Sequence, residues 1–121
     1  MQSMRPEQRR LRWRDYRTAS GARPVKEFID RLTDEEAAAV VAAMKEIATL
    51  GLVCARHLRG DIYEVRAEAD RRSFRLLFAK ETKFVLLSLA GFAKKTQKTP
   101  PRELQVAEQR LKDWRFRGQR S

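Results

Sequence analysis

Apolar residues recur along this chain with two different periods, and the change of period divides it. Val25, Phe28, Ile29 and Leu32 fall at i, i+3, i+4 and i+7, one face of a short helix, and Pro24 suits that helix's first turn. Thr33-Asp34-Glu35-Glu36 then has the form of a capping box, in which Thr33 accepts from a backbone N–H and Glu36 reaches back. A second helix is expected from here. Its apolar positions Ala37, Val40, Val41, Met44, Ile47 and Ala48 keep helical spacing, and Gly51 is placed to end it. Beyond this point the period shortens to two, and residues 62–68, 73–79 and 84–92 read as three strands separated by polar runs at 69–72 and 80–83. The last strand is apolar on both faces, as expected for one inside a sheet.

The flanks complete the outline. Residues 11–16 alternate as a short strand, broken by Ser20-Gly21-Ala22-Arg23-Pro24. After the last strand, Thr99 can cap a helix whose first turn tolerates Pro100 and Pro101, and Leu104, Ala107, Leu111 and Trp114 give that helix a narrow apolar stripe suited to packing on the sheet. The predicted architecture is α+β: a small antiparallel sheet with two N-terminal helices and a C-terminal helix. One domain spans residues 11–117, and residues 1–10, polar, Arg-rich and interrupted by Pro6, form a loose basic extension.

The register of the first hairpin follows from parity, because a slip of one residue exchanges every side chain between core and solvent. With residues 69–72 as a four-residue loop, Glu68 pairs with Ser73, Ala67 with Phe74, Arg66 with Arg75, Val65 with Leu76 and Tyr63 with Phe78. All the apolar pairs then share one face. The opposite face carries Arg66 directly across from Arg75, with Glu64 two residues away. Two like charges so placed cost a few tenths to about 1 kcal/mol, and folding alone supplies no reason for them. A phosphate would relieve the arrangement, since each guanidinium offers a planar fork of donors. A wet sheet face, with Glu64 and solvent satisfying both arginines, is the plainer reading.

Charge points the same way. The 121 residues carry 27 Lys plus Arg against 16 Asp plus Glu, a net charge of +11, which attracts polyanions over distance. Residues 1–14 and 51–98 carry the excess, whereas residues 24–50 are mildly acidic. No run of residues approaches the ~20 apolar positions of a membrane span, and no apolar segment follows the basic start, so a cytoplasmic protein without a secretory signal is expected. The single cysteine, Cys54, reads as a small filler, and the single histidine, His57, as a loop residue; together they are too few for a zinc site. No metal or other cofactor is expected. The run Gly91-Phe92-Ala93-Lys94-Lys95-Thr96-Gln97-Lys98-Thr99-Pro100-Pro101 sets three lysines and an aromatic at the exit of the most apolar strand, where a rigid support could present them to phosphate and base.

Three segments taken in order, Leu58-Arg59-Gly60-Asp61-Ile62-Tyr63-Glu64-Val65-Arg66, Phe74-Arg75-Leu76-Leu77-Phe78 and the lysine run, resemble the HigB toxins, the phage Gp49-like branch of the RelE/ParE superfamily of bacterial type II toxins. The resemblance covers residues 11–114. It implies a RelE-like fold and an mRNA interferase: a ribosome-dependent endoribonuclease that cleaves mRNA in the A site and is silenced by an antitoxin with a helix-turn-helix domain. Carried over by motif, Arg66, Arg75, Lys94 and Lys95 are the expected catalytic residues and Lys98 an expected RNA-binding one; Phe92, as a face on which a base can stack, and Arg59 complete the expected RNA-binding set. The chemistry would be metal-free attack of the RNA 2′-OH on the adjacent phosphate. The same superfamily contains gyrase poisons, and a non-catalytic nucleic-acid-binding module would use the same charge.

Overall fold

The computed structural model describes residues 10–95 and 97–118. Apart from Arg10, the N-terminal extension expected at residues 1–10 lies outside the described residues. The elements follow in the order β1 (Arg12–Asp15), α1 (Pro24–Asp30), α2 (Asp34–Leu50), β2 (Arg56–Arg59), β3 (Ile62–Ala69), β4 (Arg72–Thr82), β5 (Val85–Lys94) and α3 (Pro101–Gly118), with a 3₁₀ turn at Leu52–Cys54 before β2. The strands form one sheet in the order β1-β5-β4-β3-β2. Every pairing is antiparallel except that of β1 with β5, which is parallel. The architecture is the expected α+β one, with a parallel edge added to the antiparallel sheet.

Local chemistry accounts for the helix ends. Thr33 Oγ1 accepts from Glu36 N at 3.1 Å while Thr33 N donates to Glu36 Oε1 at 3.0 Å, so the capping box is complete. Gly51, at φ +87°, closes α2. Pro24 occupies the first turn of α1. In α3 the backbone carbonyl of Pro100 receives the first bonds, from Glu103 N and Leu104 N. The Thr99 hydroxyl, expected to cap this helix, donates instead to Glu64 Oε2.

Both faces of the sheet are covered. On one, Val25 of α1 and Ile47 of α2 pack with Val65, Leu76, Phe78 and Leu86, while Val40 joins Ala67 and Phe74. On the other, Ala107 and Leu111 of α3 pack with Ile62, Leu77, Leu87 and Leu89, so the apolar stripe of α3 seats on the sheet as expected. Gly91 is required by this packing. A Cβ there would sit 2.7 Å from Phe28 Cε2, so only glycine lets α1 lie so close.

The β3–β4 register is the one that parity demands, from Glu68 opposite Ser73 to Tyr63 opposite Phe78. The hairpin is tighter than expected. Ala69 also pairs with Arg72, leaving Asp70 and Arg71 as the turn, with Asp70 at φ +59°. β4 likewise runs on to Thr82 through most of the expected second loop. β5 lies between β1 and β4, inside the sheet as its two apolar faces require.

Candidate active site

Alternate positions on β3, β4 and β5 project from the α3 face, and the pairings line them up. Arg66 lies across from Arg75, and Arg75 across from Phe92 on β5. One row further, Glu68 faces Ser73 and Ser73 faces Lys94. On the other side, Glu64 pairs with Arg56 at the start of β2. Four strands therefore bring Arg56, Arg66, Arg75 and Lys94 around Glu64, just beyond the first turns of α3.

The plainer sequence reading holds in part, since Glu64 contacts both arginines and Arg66 stays exposed, but Glu64 and Arg75 themselves are withdrawn from solvent. Arg75 is 5% exposed and Glu64 1%, because α3 and the segment leading into it cover the sheet there. Glu64 Oε1 lies 3.4 Å from Arg75 Nε and 4.0 Å from Arg66 Nε. Arg75 Nη1 donates to Ser73 Oγ at 2.7 Å and to Phe74 O at 3.1 Å, which fixes the guanidinium in the sheet. Arg66, by contrast, leaves 53% of its side chain exposed. The two opposed arginines are thus different groups: one built in, the other facing outward.

Among the described residues, three buried side-chain atoms have no hydrogen-bond partner: Glu64 Oε1, Arg75 Nε and Lys94 Nζ. All three belong to this cluster. Glu64 Oε1 and Arg75 Nε still face each other as an ion pair at 3.4 Å, so Lys94 Nζ is the one of the three with neither a hydrogen bond nor an ion pair among the described residues, and buried polar groups so placed are uncommon in folded proteins. Loss of water, and then the Arg75 guanidinium, push the Lys94 pKa below its ordinary value, with Arg66 and Arg56 adding to the effect and Glu64 opposing it. Loss of water also lowers Arg75, against the attraction of Glu64.

The remaining expected residues divide by position. Phe92 is half-buried on the same face, its ring packed against the core cluster that includes Leu111. Lys95 is the first residue beyond β5 and is exposed, and Lys98 is exposed in the turn that follows. Arg59 has another partner. From β2 it donates through Nε and Nη2 to both carboxylate oxygens of Glu108 on α3, at 3.1 and 2.6 Å, a bidentate clamp that holds the helix to the sheet edge. Sequence reasoning missed Arg56, and it treated Glu64 as a neighbour where the structure makes it the hub. His57, expected in a loop, lies in β2, where Nε2 is 2.7 Å from Gly60 O.

The matches to known proteins fall on this framework. The family described as "Phage derived protein Gp49-like (DUF891)" matches residues 27–112, a span that holds every member of the cluster. Two relatives from Mycobacterium tuberculosis, strains CDC 1551 / Oshkosh and ATCC 25618 / H37Rv, bear the name "Probable endoribonuclease HigB1". Each is 34% identical over 107 residues, covering 85% of this chain and 84% of the relative. The chain belongs to the phage-derived Gp49-like family and is a HigB-type member of it.

Proposed function

We propose that this chain is the toxin of a type II toxin–antitoxin pair and acts as an endoribonuclease, cleaving mRNA on the ribosome by metal-free attack of the 2′-OH. The observation that carries the reading is the convergence of Arg56, Arg66, Arg75 and Lys94 around one carboxylate, with Arg75 built into the sheet and Lys94 Nζ buried without a hydrogen bond. The relatives' name supplies the reaction class.

In this mechanism Arg66 grips the scissile phosphate from the open side, and Arg75, oriented by Glu64 and Ser73, stabilises the negative charge that builds on the phosphorane oxygens. Neutral Lys94 takes the 2′-OH proton as the bond from O2′ to phosphorus forms. The bond from phosphorus to O5′ then breaks, and the 5′ oxygen takes a proton from the Lys95 ammonium. The products are a 2′,3′-cyclic phosphate and a 5′-hydroxyl. The lowered pKa of Lys94 favours the proton-accepting form that this step needs. Phe92 stacks on a base, Lys98 and Arg56 hold the backbone, and Arg59 supports the site by fixing α3. The ribosome supplies the rest of the geometry, and the +11 charge favours approach to its RNA. A helix-turn-helix antitoxin is the partner that the family resemblance implies, and the cytoplasm the compartment.

Induction in bacteria with mapping of mRNA 5′ ends tests the reading. Cuts at A-site codons, absent with Arg66→Ala, are expected, and the fragments from a purified translation mixture should end in a 2′,3′-cyclic phosphate and begin with a 5′-hydroxyl. Intact mRNA beside broken chromosomal DNA would instead identify a gyrase poison.

A further inference from the structure

β1 is much shorter than the strand it joins. Its four residues pair with Val85–Ser88, while β5 runs on to Lys94. Among the described residues, positions 89–94 therefore have no strand on one side, and all but Leu89, which bulges between Ser88 and Ala90, pair with β4 on the other. Six residues is the length of an ordinary strand. An open edge of this kind carries unpaired N–H and C=O groups and is a template for pairing.

The edge lies at the floor of a groove of about 550 Å³. Ala90 and Gly91 form the floor, Phe28 of α1 and Arg31 just past its end stand on one side, and Arg102 and Val106 of α3 on the other. Gly91 has no side chain, so backbone is presented there. One edge carbonyl already draws in a donor, since Arg110 Nη1 reaches Leu89 O at 2.7 Å. The walls also carry Glu27 and Glu103, so Arg31, Arg102 and Arg110 leave the groove with a surplus of positive charge.

We propose that residues 89–94 accept an extended, acidic segment of a partner protein, which joins the sheet as an added strand where β1 stops. The open edge selects an extended backbone, Phe28 and Val106 accept apolar side chains between the helices, and Arg31 and Arg102 select carboxylates while Arg110 stays on Leu89 O. A second copy of this chain fits poorly, because each copy carries +11. RNA would bring phosphates against Glu27 and Glu103.

The test uses the full chain and a short synthetic peptide of alternating glutamate and valine, with amide hydrogen exchange read by NMR. Exchange within residues 89–94 should slow by about tenfold or more at saturation, and a peptide N-methylated along one edge should give no protection. Arg31→Glu with Arg102→Glu should weaken peptide binding by about tenfold or more, the worth of one strong charge contact, while the spectrum stays folded. Unchanged exchange, equal binding by the N-methylated peptide, or the same protection from a short oligoribonucleotide would overturn the proposal. No RNA is cleaved in this experiment, so its outcome is separate from that of the endoribonuclease reading.

Discussion

Glu64 Oε1 lies 3.4 Å from Arg75 Nε, with both side chains almost wholly withdrawn from solvent, yet the two atoms do not complete a hydrogen bond. The carboxylate neutralises the buried guanidinium while leaving Nε without a partner. Breaking such a pair by removing one member leaves an uncompensated buried charge. Glu64→Gln is therefore expected to lower stability by about 3 kcal/mol in denaturant unfolding. The double variant Glu64→Gln with Arg75→Met should lose less than the sum of the singles, and additive losses would show that the two do not act as a pair.

At Arg66 the proposed catalytic role and folding should separate. Its side chain is 53% exposed and its carboxylate contact is long, at 4.0 Å, so Arg66→Ala should alter stability by no more than about 0.5 kcal/mol. Cleavage should fall by about 100-fold or more, as loss of a transition-state donor does. End mapping of mRNA beside a thermal melt of the same preparation gives both readings, and full activity would remove Arg66 from the mechanism.

Lys94 predicts two pH dependences. Burial and Arg75 hold its pKa below the ordinary 10.5, so below the folded-state pKa the native protein carries a charge it would rather lose. That cost fades as pH rises from the folded pKa towards 10.5, where the lysine of the unfolded chain gives up its proton as well. Lys94→Met should accordingly raise Tm at neutral pH, and its advantage should shrink in alkaline buffer. Single-turnover cleavage by the unaltered chain should rise with pH through the folded pKa and then level, and that rising limb should be missing in Lys94→Met. A variant that keeps the limb would assign the base elsewhere.

Gly91→Ala should cost about 1–3 kcal/mol, because the new methyl meets the Phe28 ring. Trimming that ring by Phe28→Leu in the same chain should recover part of the loss. Equal unfolding midpoints for Gly91→Ala and the unaltered chain would mean that α1 shifts without cost.

The parts of the site that were legible in the sequence are those ruled by parity. Val65, Leu76 and Phe78 must share a buried face, and that alone places Arg66 across from Arg75. β2 was illegible for the opposite reason. Arg56-His57-Leu58-Arg59 is an edge strand with one half-buried position in four, so it carries no alternation to read, and Arg56 went unseen with it. The burial of Arg75 depends on where α3 lands, which a stripe of Leu104, Ala107, Leu111 and Trp114 does not specify. The adjacent Lys94 and Lys95 look alike in sequence, yet the strand ends between them, so one is turned into the cluster and the other is left at its mouth.

The row that joins Arg66, Arg75 and Phe92 also limits how the chain can change in length. Each arginine owes its place to lying an even number of residues from its α3-face neighbours, Ile62 and Glu64 on β3 or Ser73 and Leu77 on β4, whereas Phe92 lies beyond a bulge in β5. A single residue gained or lost inside β3 or β4 would carry an arginine into the apolar layer beneath α1 and α2 unless a bulge absorbed it. Insertions and deletions there should be tolerated in pairs, and those at the Asp70-Arg71 turn free of that restriction. Length variation among working relatives should therefore collect at that turn and come in twos elsewhere in the hairpin.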